Sequence, residues 1–141
     1  MINSRKLEDL TPDAASRANK LIALCAAQGI DLLVTSTYRD FESQTALYNQ
    51  GRDTDSKAKG EKIVTKAKAG MSFHNYRVAF DVVPLVNGKP CWDNESVWQK
   101  IGAMGKTLGL EWAGDWKNFR EFPHFQFTNG KSLDTLRKEF K

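Results

Sequence analysis

The sequence predicts an α+β fold, in which helices pack around a small antiparallel sheet. Two stretches carry apolar residues at helical spacing, one near the start of the chain and one after residue 93. Several short runs are rich in the β-branched and aromatic residues that are typical of strands. The dipeptide Asn87-Gly88 separates two such runs and indicates a hairpin. At 141 residues, the whole chain, 1–141, is expected to form a single domain.

The first third of the chain has the pattern helix, strand, helix. Thr11-Pro12-Asp13 combines a capping hydroxyl, a proline and an early acid, which together indicate a helix start. Gly29 ends this helix, and Ile30 to Thr37 is a predicted strand. Asp40 then caps a second helix that extends to Tyr48.

The segment from Gly51 to Gly70 is rich in lysine and glycine and has no regular period, which predicts a long exposed loop. A short strand at Ile63-Val64 is expected within it. Two interpretations of the lysines remain open. They form a solvated surface, or they contact an anionic polymer near a functional site.

The second half of the chain begins with an apolar run, Val78 to Val83, that predicts a buried strand. The later elements each follow a turn or a capping residue. They are a returning strand at Lys89–Trp92, a helix capped by Asp93 or Asn94 and ended by Gly109, short strands starting at Leu110 and His124, and a helix capped by Ser132.

The formal net charge of +4 indicates a mild attraction to polyanions such as nucleic acid, an anionic membrane or an acidic cell-wall polymer. The basic residues are not interleaved with aromatic residues, which disfavours a nucleic-acid-binding protein. No apolar run approaches the length of a membrane span, so we expect no stable membrane insertion. The polar start of the chain predicts synthesis in the cytoplasm without a signal peptide.

Two cysteines, Cys25 and Cys91, lie far apart in the sequence and lack the spacing of a metal site. We expect them to be reduced thiols that pack as small hydrophobic residues, although a disulfide between them stays open. The chain is expected to be a monomer.

One aspartate, Asp81, lies inside the apolar run of the central strand. A buried carboxylate needs a strong partner, because an unpaired buried charge costs several kcal/mol. A metal ion is one such partner, and His74 and His124, which are the two histidines of the chain, are candidate ligands together with Asp81. Alternation along a strand points His124 away from the core. Nitrogen and oxygen ligands without cysteine favour Zn²⁺.

Three further residues are candidates for chemistry around such a metal. Glu121 precedes His124 by three residues and is the candidate general base for a metal-activated water. Arg39 either stabilises an oxyanion or pairs with Asp40 or Glu42. Asp115 is interpreted as a turn residue that bonds backbone amides, with a role in substrate binding as the alternative.

Three blocks of the sequence, from Leu32 to Phe127, resemble a known family. SFHNYRVAFDVV resembles the S-x-H-x-x-G-x-A-x-D signature of the D-alanyl-D-alanine carboxypeptidase/L-alanyl-D-glutamate endopeptidase family of zinc peptidases, the VanY-like group. GLEWAGDWKNFREFPHFQF resembles the second block of that family, and STYRD with Gln44 resembles its substrate-contacting block. The resemblance is closest to single-domain phage endolysins, and it implies a single catalytic peptidase domain with the fold of that family.

Carried over position by position, the resemblance implies His74, Asp81 and His124 as ligands of Zn²⁺ and Glu121 as the general base. It implies that Arg39 polarises the scissile carbonyl. Ser72 and Gln44 would contact the substrate. Arg77 departs from the pattern, because the family usually has glycine at this position; if that glycine serves a positive φ, Arg77 carries strain or shifts the loop.

The function implied is that of an endolysin, which hydrolyses the L-alanyl-D-glutamate bond of peptidoglycan stem peptides at the cell wall after release and so lyses the bacterium. Two alternatives stay open. One is a D-alanyl-D-alanine carboxypeptidase or dipeptidase with the same chemistry. The other is a non-catalytic module that binds the cell wall.

Overall fold

A five-stranded antiparallel sheet is the frame of the computed structural model, which describes residues 1–140. The strands are β1 (Asp31–Ser36), β2 (Ala79–Val86), β3 (Lys89–Pro90), β4 (Glu111–Trp112) and β5 (His124–Gln126). The main sheet has the order β1-β2-β5-β4, and β3 pairs with the far end of β2 across the hairpin turn. β2 is therefore a central strand, paired on one side with β1 and on the other with β5.

Five α-helices accompany the sheet within residues 1–140. They are α1 (Pro12–Ala27), α2 (Phe41–Asn49), α3 (Thr54–Ala58), α4 (Glu95–Thr107) and α5 (Leu133–Glu139). Side chains cap several of them at the start, as the sequence predicts: Asp40 accepts from the backbone N–H of Ser43 at 2.8 Å, and Asn94 and Ser132 act in the same way on α4 and α5.

The main core lies between the sheet and the pair α1 and α4. Phe80 of β2 and Phe125 of β5 are fully buried and stack at 5.8 Å between ring centroids. Two glycines of α4, Gly102 and Gly105, allow the helix to approach the rings of Trp112 and Phe125 so closely that a Cβ at either position would overlap a ring. One face of the sheet is thereby filled with apolar side chains, and the polar residues of β2 and β5 face the other side.

The α+β prediction is confirmed, and within the segment from Gly51 to Gly70 the structure adds an element that the sequence did not predict. Asp53 caps the short helix α3 by accepting from Ser56 N at 2.8 Å. The predicted strand at Ile63-Val64 is wrong, because both residues lie outside the sheet with more than half of each side chain exposed.

The N-terminal residues run beside the segment that follows β1. Asn3 forms a β-bridge with Arg39, and Ser4 exchanges backbone hydrogen bonds with Thr37 and Tyr38 at 2.8 Å. Ile2 and Asp40 are also joined, through a backbone N–H that donates to the Asp40 carboxylate at 2.8 Å. The chain around Arg39 is thus tied to residues 2–4 at several points.

Arg77 does adopt the left-handed conformation that glycine favours, with φ at 64°. Its guanidinium donates to the carbonyl of Asp9 at 2.9 Å and lies 3.8 Å from the ring centroid of Tyr38. These contacts accompany a backbone geometry that costs about 1 kcal/mol or more for a residue with a Cβ.

Cys25 and Cys91 are both free, and burial raises the pKa of the Cys25 thiol to about 11.

No helix within residues 1–140 is at once long enough and apolar enough to cross a membrane.

Candidate metal centre

Strand pairing places Asp81 directly opposite His124 in the β2–β5 ladder. On its other side, Asp81 pairs with Ser36 of β1, next to an irregularity in the register between Val34 and Ser36. The two predicted ligands therefore lie on neighbouring strands and on the same face, opposite the stacked pair Phe80 and Phe125. Their convergence follows from the alternation of side chains along the strands.

His74 reaches the same point from a single 3₁₀ turn, Phe73–Tyr76. The hydroxyl of Ser72 accepts from the backbone N–H of His74 at 3.3 Å and caps this turn. Asn75 is fully buried; its Oδ1 accepts from the backbone N–H groups of Gly70 and Ser72, and its Nδ2 donates to the carbonyl of Arg39 at 2.8 Å. The turn is thus tied to the segment after β1, and this attachment fixes where His74 points.

The three side chains converge on one carboxylate oxygen. Asp81 Oδ1 lies 3.2 Å from His74 Nε2 and 3.2 Å from His124 Nδ1. All three candidate ligand atoms lie within 4.8 Å of one another. The two imidazoles are buried, whereas the carboxylate of Asp81 keeps 21% of its side chain exposed. An ion bound here would have its protein ligands on the buried side and a free coordination position on the side that faces solvent.

The partners on the far side of each imidazole decide which ring nitrogen carries the proton. His74 Nδ1 lies 2.8 Å from the carbonyl oxygen of Thr37, which can only accept, so Nδ1 donates and Nε2 keeps its lone pair. His124 Nε2 lies 2.8 Å from Gln126 Oε1, so Nε2 donates and Nδ1 keeps its lone pair.

Three electron-pair donors consequently face one another, two imidazole nitrogens and one carboxylate oxygen. Such an arrangement is repulsive until a cation lies among the donors. A divalent metal with two histidine ligands, one carboxylate ligand and an open position fits both the donor types and the exposed side of Asp81. The residues present therefore fit the predicted metal.

The pKa shifts of Asp81 and His124 also indicate that the site favours a positive charge beside the Asp81 carboxylate. Burial would raise the pKa of Asp81, but the charges and hydrogen bonds of His74 and His124 outweigh it and hold that pKa far below its ordinary range. Burial lowers the pKa of His124, but the hydrogen bond and the charge of Asp81 outweigh it and raise that pKa above 6.5. Both shifts favour an ionised Asp81 beside a protonated His124 when no metal balances the carboxylate.

A cavity of about 900 Å³ opens over these residues. Glu121 lines it together with His74, Asp81 and His124, and the Glu121 residue is exposed. The backbone of Glu121 is held at both ends, since its N–H donates to Ala113 O at 3.2 Å and its carbonyl accepts from His124 N at 3.4 Å. A carboxylate anchored in this way, beside a ligand, can exchange protons with a water in the cavity.

Comparison with known proteins gives the context of this site. The family described as D-alanyl-D-alanine carboxypeptidase matches residues 65–127, the segment that holds all three candidate ligands and Glu121. The peptidoglycan L-alanyl-D-glutamate endopeptidase CwlK of Bacillus subtilis (strain 168) is 39% identical over 127 residues, which cover 84% of this chain and 73% of CwlK. The chain belongs to the D-alanyl-D-alanine carboxypeptidase family.

A related phage protein and a solved structure are also similar to this chain. The L-alanyl-D-glutamate peptidase of Listeria phage A118 is 32% identical over 142 residues; the match covers 98% of this chain and 44% of the phage protein. The crystal structure of the vancomycin resistance D,D-pentapeptidase VanY, in complex with Zn(II), has a TM-score of 0.65 at 17% identity, covering 92% of this chain and 76% of VanY. The fold of the chain is therefore that of this carboxypeptidase family.

Arg39 also lines the cavity of the carboxypeptidase-family site. It pairs with neither Asp40 nor Glu42: its Nη1 donates to Gln44 Oε1 at 3.0 Å and its Nη2 donates to Ser36 Oγ at 3.2 Å. Its Nε is buried without a hydrogen-bond partner among the described residues. Burial lowers the pKa of Arg39, partly offset by the charges of Asp81 and Glu121.

The remaining predicted residues are distributed differently. Ser72 lines the cavity, so a substrate contact is open to it. Gln44 is fully buried and does not line the cavity; it acts on Arg39 instead and donates to the carbonyl of Ala67 at 2.7 Å. Asp115 lies outside the cavity lining and pairs with Lys106 at 2.8 Å.

Two buried amides were missed by the sequence analysis, Asn75 behind His74 and Gln126 behind His124. Asn75 lies inside the block that carries the family resemblance, and Gln126 follows His124 by two residues on the same face of β5. These positions place both amides close to the candidate ligands, but their hydrogen-bond partners could be identified only from the structure.

Proposed function

We propose that this protein is a zinc-dependent peptidoglycan endopeptidase, which hydrolyses the bond between L-alanine and D-glutamate in cell-wall stem peptides. The observation that carries the proposal is the convergence of His74 Nε2, Asp81 Oδ1 and His124 Nδ1 beside Glu121. The identity of 39% to an L-alanyl-D-glutamate endopeptidase supports the choice of bond.

The proposed roles follow from the contacts of each residue. His74, Asp81 and His124 would hold zinc, which when bound supplies a Lewis acid that polarises an amide carbonyl and lowers the pKa of water. Glu121 would take the proton from the attacking water and deliver it to the leaving amine. Arg39, held by Gln44 and Ser36, would donate to the oxyanion that develops on the substrate carbonyl.

The charges along the cavity favour an acidic peptide as the substrate. Three cationic side chains line the cavity, Arg39, Lys66 and Arg120. Lys66 Nζ lies 4.0 Å from the ring centroid of Phe119 and makes no ion pair among residues 1–140. A glutamate in the substrate carries a carboxylate that these groups can attract.

A D-alanyl-D-alanine carboxypeptidase is the second candidate, because the family description names that activity and the structural neighbour VanY is a D,D-pentapeptidase. The similarity to a phage peptidase supports a biological role in lysis, with action at the cell wall after release from the cell that makes the protein. We propose that a monomer performs this role.

Digestion of purified peptidoglycan by the zinc-loaded protein, followed by mass spectrometry, tests the proposal. The expected products are stem peptides that begin at D-glutamate. Loss of only a terminal D-alanine would support the carboxypeptidase instead. Binding to peptidoglycan without any cleavage would indicate a wall-binding module and overturn both enzymatic candidates.

A further inference from the structure

Behind His124, on the side away from the candidate metal position, lies a short chain of hydrogen bonds that leads toward the surface. His124 Nε2 is 2.8 Å from Gln126 Oε1, and Gln126 Nε2 donates to Glu111 Oε2 at 2.8 Å. The other oxygen of Glu111 accepts from the hydroxyl of Thr128 at 2.9 Å. Gln126 and Thr128 are buried, whereas Glu111 is exposed.

The pairing of β4 with β5 positions the side chains of this hydrogen-bond series. Glu111 of β4 lies opposite Gln126 of β5 in the register, and Gln126 shares a face of β5 with His124, two residues earlier. Each side chain is therefore placed by the backbone of the sheet, and no flexible loop intervenes between the carboxylate and the imidazole.

The donors and acceptors of these hydrogen bonds can be arranged in one order only. A carboxylate can only accept, so Glu111 requires the NH₂ group of Gln126 on its side, and this leaves Oε1 toward the imidazole. An oxygen at that position requires the proton of His124 on Nε2. The lone pair on Nδ1 is then free to face Asp81.

A rotated amide would undo this arrangement. With its ends exchanged, Gln126 would set its oxygen against the Glu111 carboxylate and its NH₂ group against His124 Nε2. The imidazole would then have to carry its proton on Nδ1, where the proton blocks metal binding. Because Gln126 is only 2% exposed, water cannot relieve either mismatch.

We propose that Glu111 and Gln126 are positioning residues that hold His124 in its metal-binding tautomer, and that the carboxylate acts on the metal site through the amide. The inference rests on the proposed zinc site. Groups of this kind behind a metal-binding histidine commonly change metal affinity by about 10–100-fold when they are removed.

The test measures zinc affinity by competition with a chromophoric chelator, which requires no substrate and no activity. Gln126→Leu removes the acceptor at similar volume and is expected to weaken zinc binding about 10–100-fold. Glu111→Ala removes the group that orients the amide and is expected to weaken zinc binding by a smaller factor. Gln50→Leu is the matched control and should leave the affinity unchanged, because Gln50 lies outside the cavity and its only side-chain hydrogen bond among residues 1–140 is a 3.4 Å contact to Lys62 O.

A double variant in which residues 111 and 126 are exchanged tests whether the order of donors and acceptors matters. In the double variant Gln126→Glu/Glu111→Gln, a carboxylate at 126 accepts from both His124 and the new amide, and the oxygen of that amide accepts from Thr128. Every hydrogen bond is restored with the polarity toward His124 intact, so zinc affinity should return to near that of the wild type. Circular dichroism in EDTA establishes that each variant is folded.

Three results have distinct meanings. Zinc affinity of Gln126→Leu within about threefold of the wild type would overturn the inference. Failure of the exchanged pair to recover above Gln126→Leu would also overturn it, because restoring an acceptor for His124 Nε2 would then not restore zinc binding. Absence of zinc binding by the wild-type protein would instead remove the proposed function itself.

Discussion

Asp81 faces His124 across the β2–β5 pairing, and one carboxylate oxygen lies 3.2 Å from the ring nitrogen that faces it. Two of the three candidate ligands are thus fixed by the hydrogen bonds of a sheet with a filled apolar face. The third, His74, is fixed by a turn whose side chains bond to the segment after β1. Backbone pairing and hydrogen bonds within the protein therefore position all three candidate ligands.

Metal removal is therefore expected to abolish activity without unfolding the protein. EDTA should eliminate peptidoglycan cleavage and leave the far-ultraviolet circular dichroism spectrum unchanged, because the ligands are held by backbone pairing. Addition of one equivalent of Zn²⁺ per chain should restore cleavage. Cleavage that persists in a strong chelator would contradict the metal mechanism, and loss of the spectrum would show that the metal organises the fold.

Replacement of Glu121 by glutamine should separate binding from turnover. The side chain keeps its shape but loses its capacity to accept a proton, so we expect kcat to fall about 10²–10⁴-fold while zinc affinity stays near that of the wild type. Steady-state digestion of a stem peptide at saturating concentration measures the first quantity, and chelator competition measures the second. Glu95→Gln, at an exposed position in the first turn of α4, is the control. Turnover close to wild type would exclude Glu121 as the base.

The pH dependence of stability should differ in sign between the metal-free and the zinc-loaded protein. The raised pKa of His124 means that its contribution to stability is complete below 6.5 and lost as pH rises through the raised value. The lowered pKa of Asp81 means that its contribution is present above 3.8 and lost as pH falls through the lowered value.

In EDTA, we accordingly expect a lower Tm at pH 8 than at pH 6, because the stabilisation by the His124 proton is lost progressively as pH rises above 6.5. The stabilisation by zinc should increase over the same range, because the metal binds deprotonated ligands. Differential scanning calorimetry at both pH values, with and without zinc, measures this. A zinc effect that weakens toward pH 8 would contradict the assigned ligands.

Arg39 and Gln44 should affect catalysis by different amounts. Arg39→Lys removes the planar donor pair and is expected to lower kcat about 10²–10³-fold, the cost of one lost oxyanion donor. Gln44→Ala removes one of the two partners of Arg39, together with the hydrogen bond to Ala67, but keeps the guanidinium, so a smaller loss of kcat is expected. Arg137→Lys, at an exposed ion pair on α5, should have no effect. Equal losses of kcat for the two variants would contradict this ranking, because the buried amide would then matter as much as the guanidinium.

Arg77 offers a test of backbone strain. Arg77→Ala loses the contacts to Asp9 and Tyr38 and keeps a Cβ at φ 64°, whereas Arg77→Gly loses the same contacts and relieves the strain. We expect the alanine variant to be less stable than the glycine variant by about 1 kcal/mol in urea unfolding. An alanine variant as stable as the glycine variant would show that the left-handed conformation costs nothing here.

The apolar run of the sequence predicts β2 because this strand is buried on both faces, and the extended backbone of a strand makes successive side chains alternate between faces. The same alternation places His124 and Gln126 on one side of β5 and Phe125 on the other, as observed. Asp81 was recognisable since a carboxylate among apolar residues needs a partner.

The amides behind the ligands could not be predicted in this way. Asn75 and Gln126 bond to groups 36 and 15 residues away, and a polar side chain has no period that would reveal such distant partners. The helix α3 was missed for a related reason, because five residues are too few to establish a helical pattern. The exposed Ile63-Val64 misled the prediction, since β-branched residues favour a strand only when another strand is available to pair.

Trp116 lines the same cavity, with its ring centroid 5.6 Å from that of His124. An indole at this range gives the protein an internal optical reporter, whose fluorescence a paramagnetic ion such as Co²⁺ would quench at the ligand site. Metal exchange and peptide entry could then be followed in real time by emission, without attaching a dye.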